Sequence, residues 1–152
     1  HVLHPDTLMR LLRHDVDIVA PLCLHRKPPF HPVVFRSRDT KGAFMPWPLE
    51  ELPGTGLHKV AGCGSAGMLV RRRVLDSMSP PYFEIGQLAT DTLGEDLYFQ
   101  VKAQQAGFSI YIDCDTTIGH LTPMAVWMVK NDDGSWGKHI DVTGGLPEGV
   151  LE

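Results

Sequence analysis

The sequence predicts an α/β fold, and three observations carry that prediction. A short helix-forming stretch at 4–12 leads directly into Asp17-Ile-Val-Ala-Pro-Leu-Cys23, an apolar run that reads as a buried strand. A longer helical stretch, Thr92 to Ala106, is followed by Phe108-Ser-Ile-Tyr-Ile-Asp113, which alternates as a strand does. Twelve prolines and fifteen glycines are many for this length, and they crowd into 28–56, 62–67 and 144–149. That distribution suits loop-rich α/β material and excludes a helical bundle.

In chain order, Pro5 stands in the first turn of the opening helix, where a missing N–H costs nothing, and Leu8, Leu11 and Leu12 are expected on its apolar face. Pro28, Pro29, Pro32, Pro46, Pro48 and Pro53 forbid long elements in 25–56. Short edge strands are expected there at 30–35 and 43–47. After the glycines of 62–67, a strand at 68–70 and a helix over 72–78 are expected, the helix closed by Ser79-Pro-Pro81. Thr92 followed by Glu95 has the capping-box spacing, and Gly107 stands where a C′ glycine belongs. Thr116 to Leu121 suggests another strand. Asn131-Asp132-Asp133-Gly134 between 125–130 and 135–142 suggests a hairpin, with a frayed end after it.

With 152 residues, 43% apolar and 21% charged, one globular domain is the default. The net charge of -4 argues against a nucleic-acid binder. No apolar run approaches a membrane span, and no signal peptide is recognisable. Cys23, Cys63 and Cys114 are far apart and odd in number, which fits reduced thiols in a cytoplasmic setting and gives little support to a zinc site. The chain opens at His1 inside a structured-looking pattern, so a piece of a longer protein is expected.

Chemistry concentrates at Glu95-Asp96. Adjacent helical residues diverge by about 100°, so only one of them can cap. The Thr92 spacing assigns the cap to Glu95 and leaves Asp96 to face something else. A carboxylate at a helix N-terminus is favoured as the anion, as a general base must be. Gly62-Cys-Gly64-Ser-Ala-Gly67 matches G-x-G-x-x-G, but a dinucleotide site needs a helix after the last glycine and Met68-Leu-Val70 reads as strand. The segment is read as a tight turn that lets backbone approach a ligand or another strand. Trp47, between two prolines, is read as either a sugar-stacking or a packing residue. Arg71, Arg72 and Arg73 suit a solvated helix start better than a phosphate site, and His31 and His139 have no comparable context.

The order of these pieces resembles the C-terminal half of GT-A-fold glycosyltransferases, family 2-like in particular. A small-residue turn leads to a strand ending Arg-Arg. A helix follows, then Gly94-Glu-Asp-Leu-Tyr-Phe99, a helix ending Ala-Gly-Phe108, Ile110-Tyr-Ile-Asp113 and Gly119-His-Leu121. The resemblance covers 1–122, the C-terminal portion of such a domain, and leaves 123–152 as an extension with a hairpin. It implies a partial GT-A-like nucleotide-sugar transferase domain with a mixed sheet flanked by helices and a Pro-rich excursion. It further implies inverting transfer of sugar from a nucleotide-sugar donor to an acceptor hydroxyl, with Mn²⁺ or Mg²⁺ as cofactor. Asp96 would be the base and Glu95 a contact to acceptor or donor sugar. Gly64, Ser65 and Ala66 would line the sugar pocket, and His120 would complete the metal site. The family's Asp-x-Asp motif is expected just upstream of His1, so this chain by itself should bind donor poorly. Two rival readings are a Rossmann-like module using Gly62 to Gly67 and a non-catalytic GT-A-like scaffold.

Overall fold

The computed structural model describes residues 1–88 and 91–141. It is a mixed α/β structure with several small sheets and few helices. Helix α1 (Thr7–Leu12) leads to β1 (Ile18–Leu22). The Pro-rich segment supplies β2 (Val34–Arg38), β3 (Phe44–Pro46) and a 3₁₀ turn at Leu49–Glu51. Next come β4 (Leu57–Val60), β5 (Gly62–Cys63), β6 (Leu69–Val70) and α2 (Arg72–Asp76). The hairpin β7 (Gly86–Leu88) and β8 (Asp91–Leu93) precedes α3 (Glu95–Gln105) and β9 (Ile110–Thr117). A second hairpin, β10 (Ala125–Lys130) and β11 (Trp136–Asp141), follows.

The central sheet has the order β4-β9-β1-β6. Its inner pair β1–β9 is parallel, with Ile18 opposite Ile110, and both outer pairs are antiparallel. A central strand is covered on both faces and therefore reads as a continuous apolar run; Ile18, Val19 and Ala20 are fully buried. Pro21 ends the regular pairing because it has no N–H to give, and the register shifts between Pro21 and Leu22. On one face, Ile18, Ala20, Ile110 and Ile112 pack in one cluster with Phe99 and Ala103 of α3. On the other lies α1, which contacts β1, β9 and β6. The side sheet β3-β2-β5 joins the two strands of the Pro-rich excursion to β5.

Several expected elements are displaced. The inward residues of α1 are Thr7 and Leu11, one turn apart, while Leu8 and Leu12 are exposed. The strand expected at 30–35 begins only at Val34, because Phe30 is held at φ 57. Leu57–Val60 and the β7–β8 hairpin form where no strand is expected. Thr116 extends β9 instead of starting a new strand. The C-terminal hairpin forms as expected, with Lys130 opposite Trp136 and Gly134 at φ 81. The frayed end and the glycines and proline of 144–149 lie outside the described residues.

The far face of the central sheet holds a buried carboxylate. Asp113 accepts from the Thr116 hydroxyl (2.6 Å) and the Asp115 amide (3.0 Å), and pairs with His14 just beyond α1 at 3.1 Å. Burial pushes its pKa up, but these donors more than offset that and hold it below the usual carboxylate value. A depressed folded-state pKa contributes stability above the unfolded value, about 3.9, and that contribution is lost as pH falls through the folded pKa. Asp113→Asn should therefore lower the urea midpoint most above pH about 4, with the gap to wild type closing on further acidification. Midpoints measured from neutral pH down to about pH 2.5 check this; a gap that is constant with pH would remove Asp113 from the acid response.

Candidate functional site

Helix α3 starts at Gly94, whose φ of -61° and ψ of 163° make it the N-cap, and it has no side-chain cap. The capping box between Thr92 and Glu95 does not form. Thr92 lies in β8, where its hydroxyl accepts from the Gln87 amide at 2.8 Å, so cross-strand pairing has taken the group the cap would have used. The first-turn hydrogen bond expected of Glu95 is made by Asp96 instead. Glu95 is exposed. Asp96 is half-buried, and its Oδ1 accepts from the Leu97 N–H at 2.8 Å, one of the otherwise orphaned first-turn donors. Its Oδ2 has no hydrogen-bond partner among the described residues. At the far end, Gly107 adopts φ 94. The Phe108 amide returns to Ala103 and the Gly107 amide to Gln104, a Schellman ending.

Gln100, one turn along α3, is fully buried. Its side-chain N–H₂ donates to the Cys63 carbonyl (2.6 Å) and to the Asp96 carbonyl (3.0 Å), while its Oε1 accepts from the Cys63 N–H (2.9 Å). The side chain thus acts as a substitute strand for β5 and fixes the start of α3 against it. The Cys63 thiol registers the approach: burial, then the Asp96 charge, pushes its pKa up to about 12. Sequence reasoning missed Gln100. The available signal was a polar residue set between the apolar Phe99 and Val101 within the helical stretch.

The glycine segment resolves toward strand packing. A Cβ on Gly62 would lie 2.7 Å from the Phe44 ring and 2.9 Å from Leu97, and one on Gly64 would lie 3.1 Å from Val33. Gly64 thus lets its backbone lie against Val33, whose carbonyl accepts its N–H at 2.8 Å, and Ser65 and Ala66 sit in the turn closed by the Met68 N–H to Ser65 C=O bond (3.1 Å). Gly67 has φ 68 and leads into β6, not into a helix, so the geometry a Rossmann pyrophosphate site needs is not there. Trp47 spends its indole N–H on the Glu51 carbonyl (3.0 Å) and sets its ring edge to face against His58 (centroids 6.4 Å apart), as a packing residue does. Arg71, Arg72 and Arg73 pair with Asp15, Asp76 and Asp17, which leaves little phosphate-binding character.

His120 lies near the end of β1. Its Nδ1 is 2.9 Å from the Leu24 carbonyl and 3.7 Å from Cys23 Sγ, and its ring stacks on His1 at 4.3 Å. One ligand atom from each of His1, Cys23 and His120 falls within 4.8 Å of the others. Beside His120 opens a cavity of about 830 Å³ lined by His25, Arg26, Lys27, Thr122 and Met124 among others. Its volume falls in the range of small-molecule sites. The Val33 N–H donates to the Cys23 carbonyl (3.0 Å) and the Gly64 N–H to the Val33 carbonyl (2.8 Å). Hydrogen bonds thus link Cys23 through Val33 to Gly64, next to the Cys63 that Gln100 holds.

No protein-family model matches the chain, and no curated protein matches it. Among solved structures it is similar to the crystal structure of A197 from STIV, with a TM-score of 0.49 and 16% sequence identity over 86% of this chain and 56% of that one. The chain therefore spans little more than half the length of that structure. No helix among the described residues is long and apolar enough to cross a membrane.

Proposed function

We propose that the chain carries the acceptor side of a GT-A-like glycosyltransferase site, one that moves a sugar from a nucleotide-sugar donor to a hydroxyl. The observation that supports this reading best is Asp96. One of its oxygens is pinned by the Leu97 amide, the other is uncommitted, and the helix turn that bears it is clamped to β5 by Gln100. This is the arrangement of a positioned base. The acceptor hydroxyl gives its proton to Asp96 Oδ2 as its oxygen bonds to the anomeric carbon, and the nucleoside diphosphate leaves with the electron pair of the broken bond. Glu95, exposed one position away, is placed to hydrogen-bond sugar hydroxyls. The cavity beside His120, with His25, Arg26 and Lys27 on its wall, suits a diphosphate by charge.

A divalent cation in such a site neutralises the departing diphosphate. The donors at His120 fit the expected Mg²⁺ badly: Mg²⁺ takes oxygen ligands, and the side-chain donors gathered here are two imidazoles and a thiol. Mn²⁺ accepts imidazole but suits carboxylate and water better than sulfur.

The test is turnover of a panel of nucleotide-sugars by the intact protein, read as nucleoside diphosphate released. Release that rises with a hydroxyl acceptor is expected. If every donor and acceptor pair leaves the donor intact, the non-catalytic scaffold reading replaces this one.

A further inference from the structure

We infer that His1, Cys23 and His120 form a binding site for a thiophilic divalent cation of the Zn²⁺ type, with its fourth position open toward the adjacent cavity. The inference rests on the geometry of these three side chains alone and stands whether or not the chain transfers sugar.

Three features carry it. The first is spacing. Two ligands of a tetrahedral zinc ion, with Zn–S about 2.3 Å and Zn–N about 2.0 Å, lie roughly 3.5 Å apart; one donor atom from each of His1, Cys23 and His120 falls within 4.8 Å of the others. The second is orientation. In the tautomer whose Nδ1–H donates to the Leu24 carbonyl, 2.9 Å away, His120 Nε2 keeps its lone pair for an ion. Metal-bound histidines are held in this way, by a carbonyl that fixes the tautomer. The third is the mixture of donors. A thiol with two imidazoles favours zinc or cobalt over magnesium or calcium. These donors therefore differ from the oxygen ligands that Mg²⁺ takes.

Three protein ligands leave one coordination position for water or substrate, as in catalytic and not structural zinc sites. His120 also lines the 830 Å³ cavity, so that position has a solvent route. Cys23 is buried and its pKa is raised by that burial. On binding, the thiol proton is released to solvent and the thiolate bonds the ion, so the cation supplies the charge that burial withholds.

Cobalt reports on this directly. Untagged protein titrated with Co²⁺ should take up one equivalent and develop a thiolate-to-cobalt charge-transfer band together with tetrahedral ligand-field bands. Zn²⁺ should displace the cobalt, and a hundredfold excess of Mg²⁺ should not. Cys23→Ser, a nearly isosteric change, should abolish the charge-transfer band and weaken Co²⁺ binding by at least about 100-fold, the upper end seen for loss of a mere outer-shell partner. His120→Ala should do the same to affinity, with thermal melting used to show that each variant is folded. His31→Ala, on the cavity wall, and Asp96→Asn should leave the spectrum unchanged. A wild-type spectrum without the sulfur band, or Co²⁺ affinity that Cys23→Ser leaves intact, overturns the site. Because Asp96→Asn removes the base and not the ligands, loss of turnover with an intact cobalt spectrum separates the two readings.

Discussion

Asp96→Asn is expected to lower sugar transfer by about 10² to 10⁴-fold, the usual contribution of a positioned general base. Asn is the informative replacement because its side-chain oxygen can still accept from the Leu97 N–H, as Asp96 Oδ1 does at 2.8 Å. The first turn of α3 should therefore survive, with unfolding midpoints close to wild type. What the variant lacks is a group able to take a proton. The loss should fall on kcat, with KM for the donor nearly unchanged, because the base acts in the transition state and not in donor binding. Glu95→Gln should fall on the KM of acceptor or donor instead. Steady-state kinetics on both variants checks the assignment, and an Asp96→Asn enzyme that turns over at near wild-type kcat would exclude Asp96 as the base.

Gln100→Ala is expected to produce the largest loss of stability outside the apolar core. The substitution strips the partners from the Cys63 N–H and C=O together, both now held by one buried amide. Each orphaned buried group costs about 1–3 kcal/mol, so the pair should cost roughly 2–6 kcal/mol, before any cavity is counted. Against a total stability of about 5–15 kcal/mol for a domain, that is a large fraction. Gln100 also holds the Asp96 carbonyl, so activity should fall even in the fraction that stays folded. Urea unfolding monitored at equilibrium gives the number; a loss under about 1 kcal/mol would mean that β5 finds other partners.

The parts of the fold legible in the sequence were those fixed by local chemistry. Ile18–Leu22 is a run too apolar to be anything but covered. Gly107 is needed at a positive φ that other residues resist, and Asn131–Gly134 has the residues a tight hairpin turn requires. The parts not legible depended on partners far along the chain. Thr92 has good capping chemistry, but Gln87 across the β7–β8 hairpin takes its hydroxyl, and no local signal announces that pairing. Leu8 and Leu12 share a helical face on paper, yet the sheet contacts α1 through Thr7 and Leu11. The candidate site divides in the same way. Asp96 and His120 stood out by residue type and position. Cys23, His1 and Gln100 gained meaning only once β1, β2, β5 and α3 were side by side. Gly64 and Trp47 stand between ligand and packing roles in the sequence, and the structure gives each packing partners: Val33 for one, Glu51 and His58 for the other.

The parallel pairing of β1 with β9 also has a temporal side. Ile18 and Ile110 are far apart in the sequence, and the strands between them attach only to the outer edges of the central sheet or to side sheets. The most apolar strand therefore has no parallel neighbour until β9 has been made. Closing so long a loop before the contact is gained slows folding, and an early strand that still lacks α3 and β9 against Ile18 and Ala20 is a natural substrate for chaperones and a seed for aggregation during synthesis.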